Sequence, residues 1–239
     1  MSWRVAAAGA IGLALLVGVA PALAGQQVYI YTILHPYYGD IGTLTDTIDW
    51  SPGMTRIESR LRIRVEILGI AVYSQVTDIT EIMRGNRLIS LQSVSEKDGQ
   101  HLEVHGEARG SLFVVNGTAG VSAGPAATTP SDPWLLKGTG EGTMIYPATG
   151  RIAKARVFGG ESETISLNGS PAAVRHFRVE GENHEDVWLD SRGIPVMFRS
   201  VEDGTPIDFV LRDPNAPPAV VPALSPDRSL LVNMGKDSK

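Results

Sequence analysis

The sequence predicts an all-β protein, a large antiparallel meander curled into a barrel or half-barrel with little helix. Three observations point there. Residues 172–211 read as four short strands separated by turns at Glu182-Asn183, Asp190 to Gly193 and Asp203-Gly204. Residues 60–67 alternate strictly, with Leu61, Ile63, Val65 and Ile67 on one face and Arg60, Arg62, Arg64 and Glu66 on the other. A period of two marks a half-buried strand. Turn dipeptides recur at Gly85-Asn86, Asp98-Gly99, Asn116-Gly117, Thr149-Gly150 and Asn168-Gly169, and hairpins draw on such residues because they tolerate positive φ.

The chain starts with Arg4, an apolar run from Val5 to Val19, and the small-residue site Ala22-Leu23-Ala24. This is the pattern of a secretory signal peptide over residues 1–24, with cleavage expected after Ala24. The apolar run falls short of the roughly 20 residues that span hydrocarbon. With no cysteine, neither a lipid anchor at the cleavage site nor a disulfide is expected. The expected product is periplasmic, neither a lipoprotein nor an integral membrane protein. Loss of Arg4 from the 21 Lys plus Arg, against 26 Asp plus Glu, moves the net charge from −5 to −6, which argues against nucleic-acid binding.

A single β domain is expected over residues 25–212. Its strands begin with residues 27–34, 42–49 and 60–67. Residues 70–83 leave helix and strand open: Ile70, Tyr73, Val76, Ile79 and Ile82 fall three apart, yet the segment is rich in Val, Thr and Ile, which favours strand. Residues 86–93, 101–108 and 111–115 continue the meander. Residues 117–142 turn to Gly, Ala, Thr, Ser and Pro around the island Trp134-Leu135-Leu136; a segment this long without periodicity reads as a mobile loop or a functional lid. Residues 143–146 and 151–157 form a hairpin about Thr149-Gly150, and 163–167 lead into the terminal strands. A Pro-rich disordered tail is expected over residues 213–239.

The chemistry is mostly exclusion. A chain without cysteine has no thiolate catalysis, no cysteine-ligated zinc and no iron–sulfur cluster. There is no Gly-x-Ser-x-Gly elbow, and Gly138 to Gly142 precedes an extended segment rather than the helix that a phosphate loop needs. No cofactor is implied.

His101, Glu103, His105 and Glu107 share one strand face, with Glu103 and His105 as weak metal-ligand candidates, but a wet face of an amphipathic strand explains them. His184-Glu185-Asp186 reads as a solvated acidic turn. Arg60, Arg62 and Arg64, extended by Arg56, form the one concentrated positive stripe, suited to anionic headgroups or simply to a solvated strand. Trp188 reads as core, whereas Trp134 with Leu135 either pins its loop or forms part of a ligand lid.

Several stretches carry a resemblance. They are residues 31–42, Gly69 to Tyr73, Glu81 with Gly85 to Leu91, Asp98-Gly99, Pro130 to Trp134, Thr149 to Arg151 and Arg175 to Val179. The terminal Asp186-Val187-Trp188-Leu189-Asp190, Gly193 and Glu202 to Leu211 carry it furthest. On these residues the chain resembles an uncharacterised, domain-of-unknown-function family of exported proteobacterial proteins. Leu135 departs from it, standing where a polar residue is expected. The resemblance implies a periplasmic all-β protein and transfers no catalytic residue.

The leading expectation is a non-catalytic envelope module that binds a lipid-like or other hydrophobic molecule inside the curled sheet, with Trp134, Leu135, Arg60, Arg62 and Arg64 as ligand-binding candidates. The alternative is a structural or interaction protein with a filled core and an envelope protein partner. A metal-dependent hydrolase built on Glu103 and His105 stands third.

Overall fold

The computed structural model describes residues 25–118, 120–136, 138–202 and 204–212; the signal-peptide and tail expectations, and Asp203, lie outside them. The strands are β1 (Gly25–His35), β2 (Gly39–Ser51), β3 (Met54–Ile67), β4 (Ile70–Arg84), β5 (Arg87–Lys97), β6 (Gln100–Arg109), β7 (Leu112–Gly117), β8 (Gly120–Pro125), β9 (Thr129–Pro130), β10 (Gly140–Tyr146), β11 (Arg151–Leu167), β12 (Ser170–Glu180), β13 (His184–Leu189), β14 (Pro195–Glu202) and β15 (Thr205–Leu211). All belong to one 15-stranded sheet in the order β8-β7-β6-β5-β4-β3-β2-β1-β15-β14-β13-β12-β11-β10-β9. Two meanders are thus joined at the middle, where β1 pairs antiparallel with β15 from Tyr31↔Leu211 to Leu34↔Asp208. Every pairing is antiparallel except β9 with β10.

The ambiguous segment 70–83 is strand, most of β4, because pairing with both β3 and β5 outweighs the three-residue spacing of its apolar groups. Residues 151–157 and 163–167, read separately, belong to one strand, β11, that bends at a bulge between Gly159 and Glu161. The turn placed at Asn116-Gly117 falls after Gly117 instead. The segment 117–142 is not structureless. It holds β8, β9, the start of β10 and a 3₁₀ turn at Pro133–Leu135.

The curl is closed without a ladder. Thr118 Oγ1 donates to the Thr149 carbonyl (3.3 Å) and Ser122 Oγ to the Gly150 carbonyl (3.3 Å), tying β8 to the β10–β11 turn. Glycine permits the approach: a Cβ at Gly117 would lie 2.9 Å from the Thr149 oxygen. The sheet is therefore an open barrel whose seam is held by side chains.

Its interior is filled by residues 129–136, which run as a strap across the curl. Asp132 caps the 3₁₀ turn, its Oδ1 accepting from the Trp134 amide at 2.9 Å. Trp134 then packs against the cluster that contains Tyr31 and Leu211. Leu135 meets the cluster of Met83, Leu88, Leu91, Val104, Phe113, Val115 and Ile145. Leu136 meets the cluster containing Val157, Phe177, Val179 and Val187. Three consecutive apolar residues thus serve three separate cores, and this works only because the sheet curls around them.

At the crossing of β2 and β3 the backbones are too close for any side chain. A Cβ on Gly42 would fall 2.0 Å from the Arg62 carbonyl oxygen, whereas one on Gly142 meets nothing within 4 Å. Gly42→Ala is expected to lose about 2 kcal/mol or more in urea unfolding, and Gly142→Ala to stay near neutral. Equal stability of the two would contradict the β2–β3 register.

Candidate functional site

The strap brings carboxyl groups together in a place where water is scarce. Asp46 sits on β2 among Ser59 and Ile48, and is 3% exposed; Glu81 on β4 faces the same interior and is 2% exposed. Asp132 on the strap shares a side-chain hydrogen bond with Glu81. Trp134 Nε1–H donates to Asp46 Oδ2 at 2.9 Å, and its ring lies 4.3 Å from that of Tyr29. Two carboxyl oxygens in this group, Asp46 Oδ1 and Glu81 Oε2, are buried with no hydrogen-bond partner. The same wall carries other buried polar groups, with the Thr77 and Ser95 hydroxyls 2.7 Å apart and Ser93 nearby.

Burial of an ionised carboxylate away from water is unfavourable, so these groups hold their protons to higher pH than free carboxylates do. Burial, reinforced by the Asp132 charge, raises Asp46 to about 7, against opposing hydrogen bonds from Ser59 and Trp134. Glu81 is pushed well above the carboxylate range, first by burial and then by Asp132 and Asp46. Asp132 rises to about 6 through burial, opposed by the Trp134 amide and by Glu81. The Glu81–Asp132 pair therefore shares a proton.

On the far side of the strap lies a cavity of about 190 Å³. Its apolar walls are Leu135, Leu136, Met144, Ala155, Val157, Val179 and Val187, and it carries three carboxyls, Asp132, Glu141 and Glu185. Glu185 is raised to about 7 by burial and then by the Asp132 charge. Its place corrects the reading of 184–186 as a solvated turn: these residues open β13, and pairing of Glu185 with Val179 turns its side chain to the cavity. Asp186 goes to the opposite face of β13. There its Oδ1 meets His176 Nε2 at 2.6 Å, and the imidazole stacks on Trp188 at 4.6 Å. The Trp188 indole in turn donates to Glu163.

Trp134 and Leu135 are part of this strap. Arg60, Arg62 and Arg64 are remote from it, exposed on the other face of β3. Arg60 pairs with Asp78 at 2.7 Å and Arg64 with Glu66 at 2.6 Å. Glu103 and His105 are also exposed, with Glu103 between His101 at 3.0 Å and His105 at 3.6 Å. Among the described residues no group of three or more His, Cys, Asp or Glu is arranged to hold a metal ion. Asp46 and Glu81 are not site candidates in the sequence reading, and Glu185 enters it only as part of a solvated turn. Their signal was an acid at an inward position of a strand, visible only once the register is known.

An open antiparallel barrel with an internal strap and a small carboxyl-edged cavity is the class these features define. The sequence pattern of a domain of unknown function, DUF6134, matches residues 38–212. The chain belongs to that family. A crystal structure of a beta-barrel-like protein of domain of unknown function DUF1849 from Brucella abortus is similar in fold. It has a TM-score of 0.57 at 12% sequence identity, covering 80% of this chain and 97% of that one. No curated protein matches the sequence. Among the described residues no helix is long and apolar enough to cross a membrane.

The raised carboxyls fix the sign of a pH effect. A group whose folded pKa lies above its unfolded value binds protons more tightly when folded. Its contribution is whole below about pH 4 and is lost as pH rises toward about 7. Asp46→Asn keeps an acceptor for the Trp134 indole but cannot ionise. Thermal unfolding followed by circular dichroism should show it more stable than the parent at pH 8 and close to it at pH 4.5. A parent that gains on the variant as pH rises would contradict the buried position of Asp46.

Proposed function

We propose that this chain is an exported, non-catalytic binding module of the cell envelope, and that it holds a small hydrophobic or lipid-like molecule in the cavity between the strap and β10–β13. The observation that carries the reading is the wall. On the sheet side Met144, Ala155, Val157, Val179 and Val187 are apolar, on the strap side Leu135 and Leu136, and Asp132, Glu141 and Glu185 are among the polar groups that orient a ligand. About 190 Å³ is below the roughly 300–1,000 Å³ of drug-sized sites. The fitting ligand is therefore a single ring or a short chain, with a hydrogen-bonding group set toward the carboxyls. Export rests on the signal-peptide pattern of residues 1–24.

A second reading has its own observation. Trp134, Leu135 and Leu136 complete three cores at once, as they would in a structural or interaction protein whose interior serves only stability.

Native mass spectrometry of the protein purified from its own envelope separates the two. The binding reading expects a bound mass that disappears in Val157→Trp, because the indole would occupy the cavity. A protein that is empty in every preparation, yet crosslinks reproducibly to one envelope protein, would replace the first reading by the second.

A further inference from the structure

The β3–β4 hairpin runs past its neighbours. Pairing of β3 with β2 ends at Gly42↔Ile63, and pairing of β4 with β5 ends at Gln75↔Lys97. Residues 66–72 therefore form a two-stranded ribbon with no strand paired on either side, while at its base Val65 is buried with Ile33, Ile41 and Ile207, Tyr73 packs on that cluster and the Ser74 backbone bonds to Asp98. From Val65 to Leu68 at ~3.3 Å per residue, it reaches about 10 Å beyond that packing.

Its tip is apolar and bare. Leu68 is 98% exposed, Ile70 68%, Val72 52% and Ile67 45%. The turn itself makes this choice conspicuous. Among the described residues three turns pair a non-glycine residue at positive φ with a glycine: Leu68-Gly69 (53° and 79°), Asp98-Gly99 (49° and 78°) and Asn168-Gly169 (51° and 81°). Two of them use Asp or Asn, the side chains that tolerate this backbone. The third uses leucine, which strains the turn and buries nothing. Folding gives no reason for Leu68.

The surroundings say what would take it. Register places two other elements at this end of the sheet. They are the β1–β2 hairpin, with Tyr37 83% and Tyr38 51% exposed and Leu34 at the end of β1, and the end of β14 at Val201. Exposed apolar groups from separate hairpins form spaced points and no groove, as on a surface that meets a fluid. Tyrosine suits the level of lipid headgroups. Behind the tip stand Arg60, Arg62 and Arg64; the first and last hold Asp78 and Glu66, and among the described residues no carboxylate pairs with Arg62.

We propose that the β3–β4 hairpin is a membrane-docking element, inserting Ile67, Leu68 and Ile70 into the interfacial layer of a phospholipid bilayer with Arg62 against an anionic headgroup. An interfacial segment sits about 5–10 Å deep, within the reach of the ribbon. The net charge of −5 supplies no long-range attraction to an anionic surface, so apolar burial carries the binding and Arg62 adds to it locally. Docking there leaves the strap and its cavity untouched, and this assignment stands whether or not the cavity holds a ligand.

The test is flotation of the protein, purified from cells with its N-terminus read by intact mass, on phosphatidylethanolamine–phosphatidylglycerol and on phosphatidylcholine vesicles. The parent should float with both, more strongly with the first, and keep most of its binding in 0.5 M salt. Leu68→Asn should weaken binding by about tenfold or more while its melting temperature equals or exceeds that of the parent. Arg62→Glu should weaken binding several-fold on the anionic vesicles alone. A parent that stays unbound on both vesicles, or a Leu68→Asn variant that floats as well as the parent, would overturn the proposal. So would crosslinking to one envelope protein, lost in Leu68→Asn, with no vesicle binding.

Discussion

An open sheet of fifteen strands has to cover its own inner face, and the strap from Thr129 to Leu136 is what covers it. No second sheet or helix layer is present among the described residues to do the work that layered folds assign to one. Trp134, Leu135 and Leu136 each extend a different apolar cluster. The curl then follows, since strands as far apart in the order as β2, β6 and β12 have to meet the same short segment. The side-chain seam between β8 and the β10–β11 turn completes the arrangement without backbone pairing.

The strap carries an electrostatic cost that protons offset. Asp132 is needed to cap the 3₁₀ turn, yet this places its carboxyl against Glu81 and near Asp46. Buried like charges so close cannot all ionise. One shared proton turns the Glu81–Asp132 contact from repulsion into a hydrogen bond, and Trp134 ties the third carboxyl by its indole N–H. The remaining unpartnered oxygens, Asp46 Oδ1 and Glu81 Oε2, mark where this arrangement is least satisfied. Glu185 extends the acidic character to the cavity wall on the other side of the strap.

What could be read from the sequence was what is local. Alternation in residues 60–67 and the Asn-Gly and Asp-Gly turns gave strands and hairpins, and the four terminal strands stand where they were placed. Bulges were invisible, so β11 was split at Gly159-Gly160. The strap was missed for a different reason. Its residues gain order only by touching distant strands, and an aperiodic Gly-, Ser- and Pro-rich stretch is indistinguishable from a loop until those strands are assembled. The inward acids were hidden in the same way: Asp46 in Thr45-Asp46-Thr47 and Glu81 in Thr80-Glu81-Ile82 look like ordinary polar strand positions. Leu68 was legible as apolar, but its exposure was not.

The fold thus presents two regions with different demands, a small cavity bounded by the strap and a bare hairpin at one end of the sheet. The account depends most on the strap being a permanent part of the core. Hydrogen exchange on the amides of Ser131, Trp134, Leu135 and Leu136 tests this directly. Each donates inside the fold, to the Ile145 carbonyl, Asp132 Oδ1, the Asp132 carbonyl and the Pro133 carbonyl respectively. The account predicts protection near that of the central strands β1 and β2. Exchange at the rate of an exposed loop would contradict it.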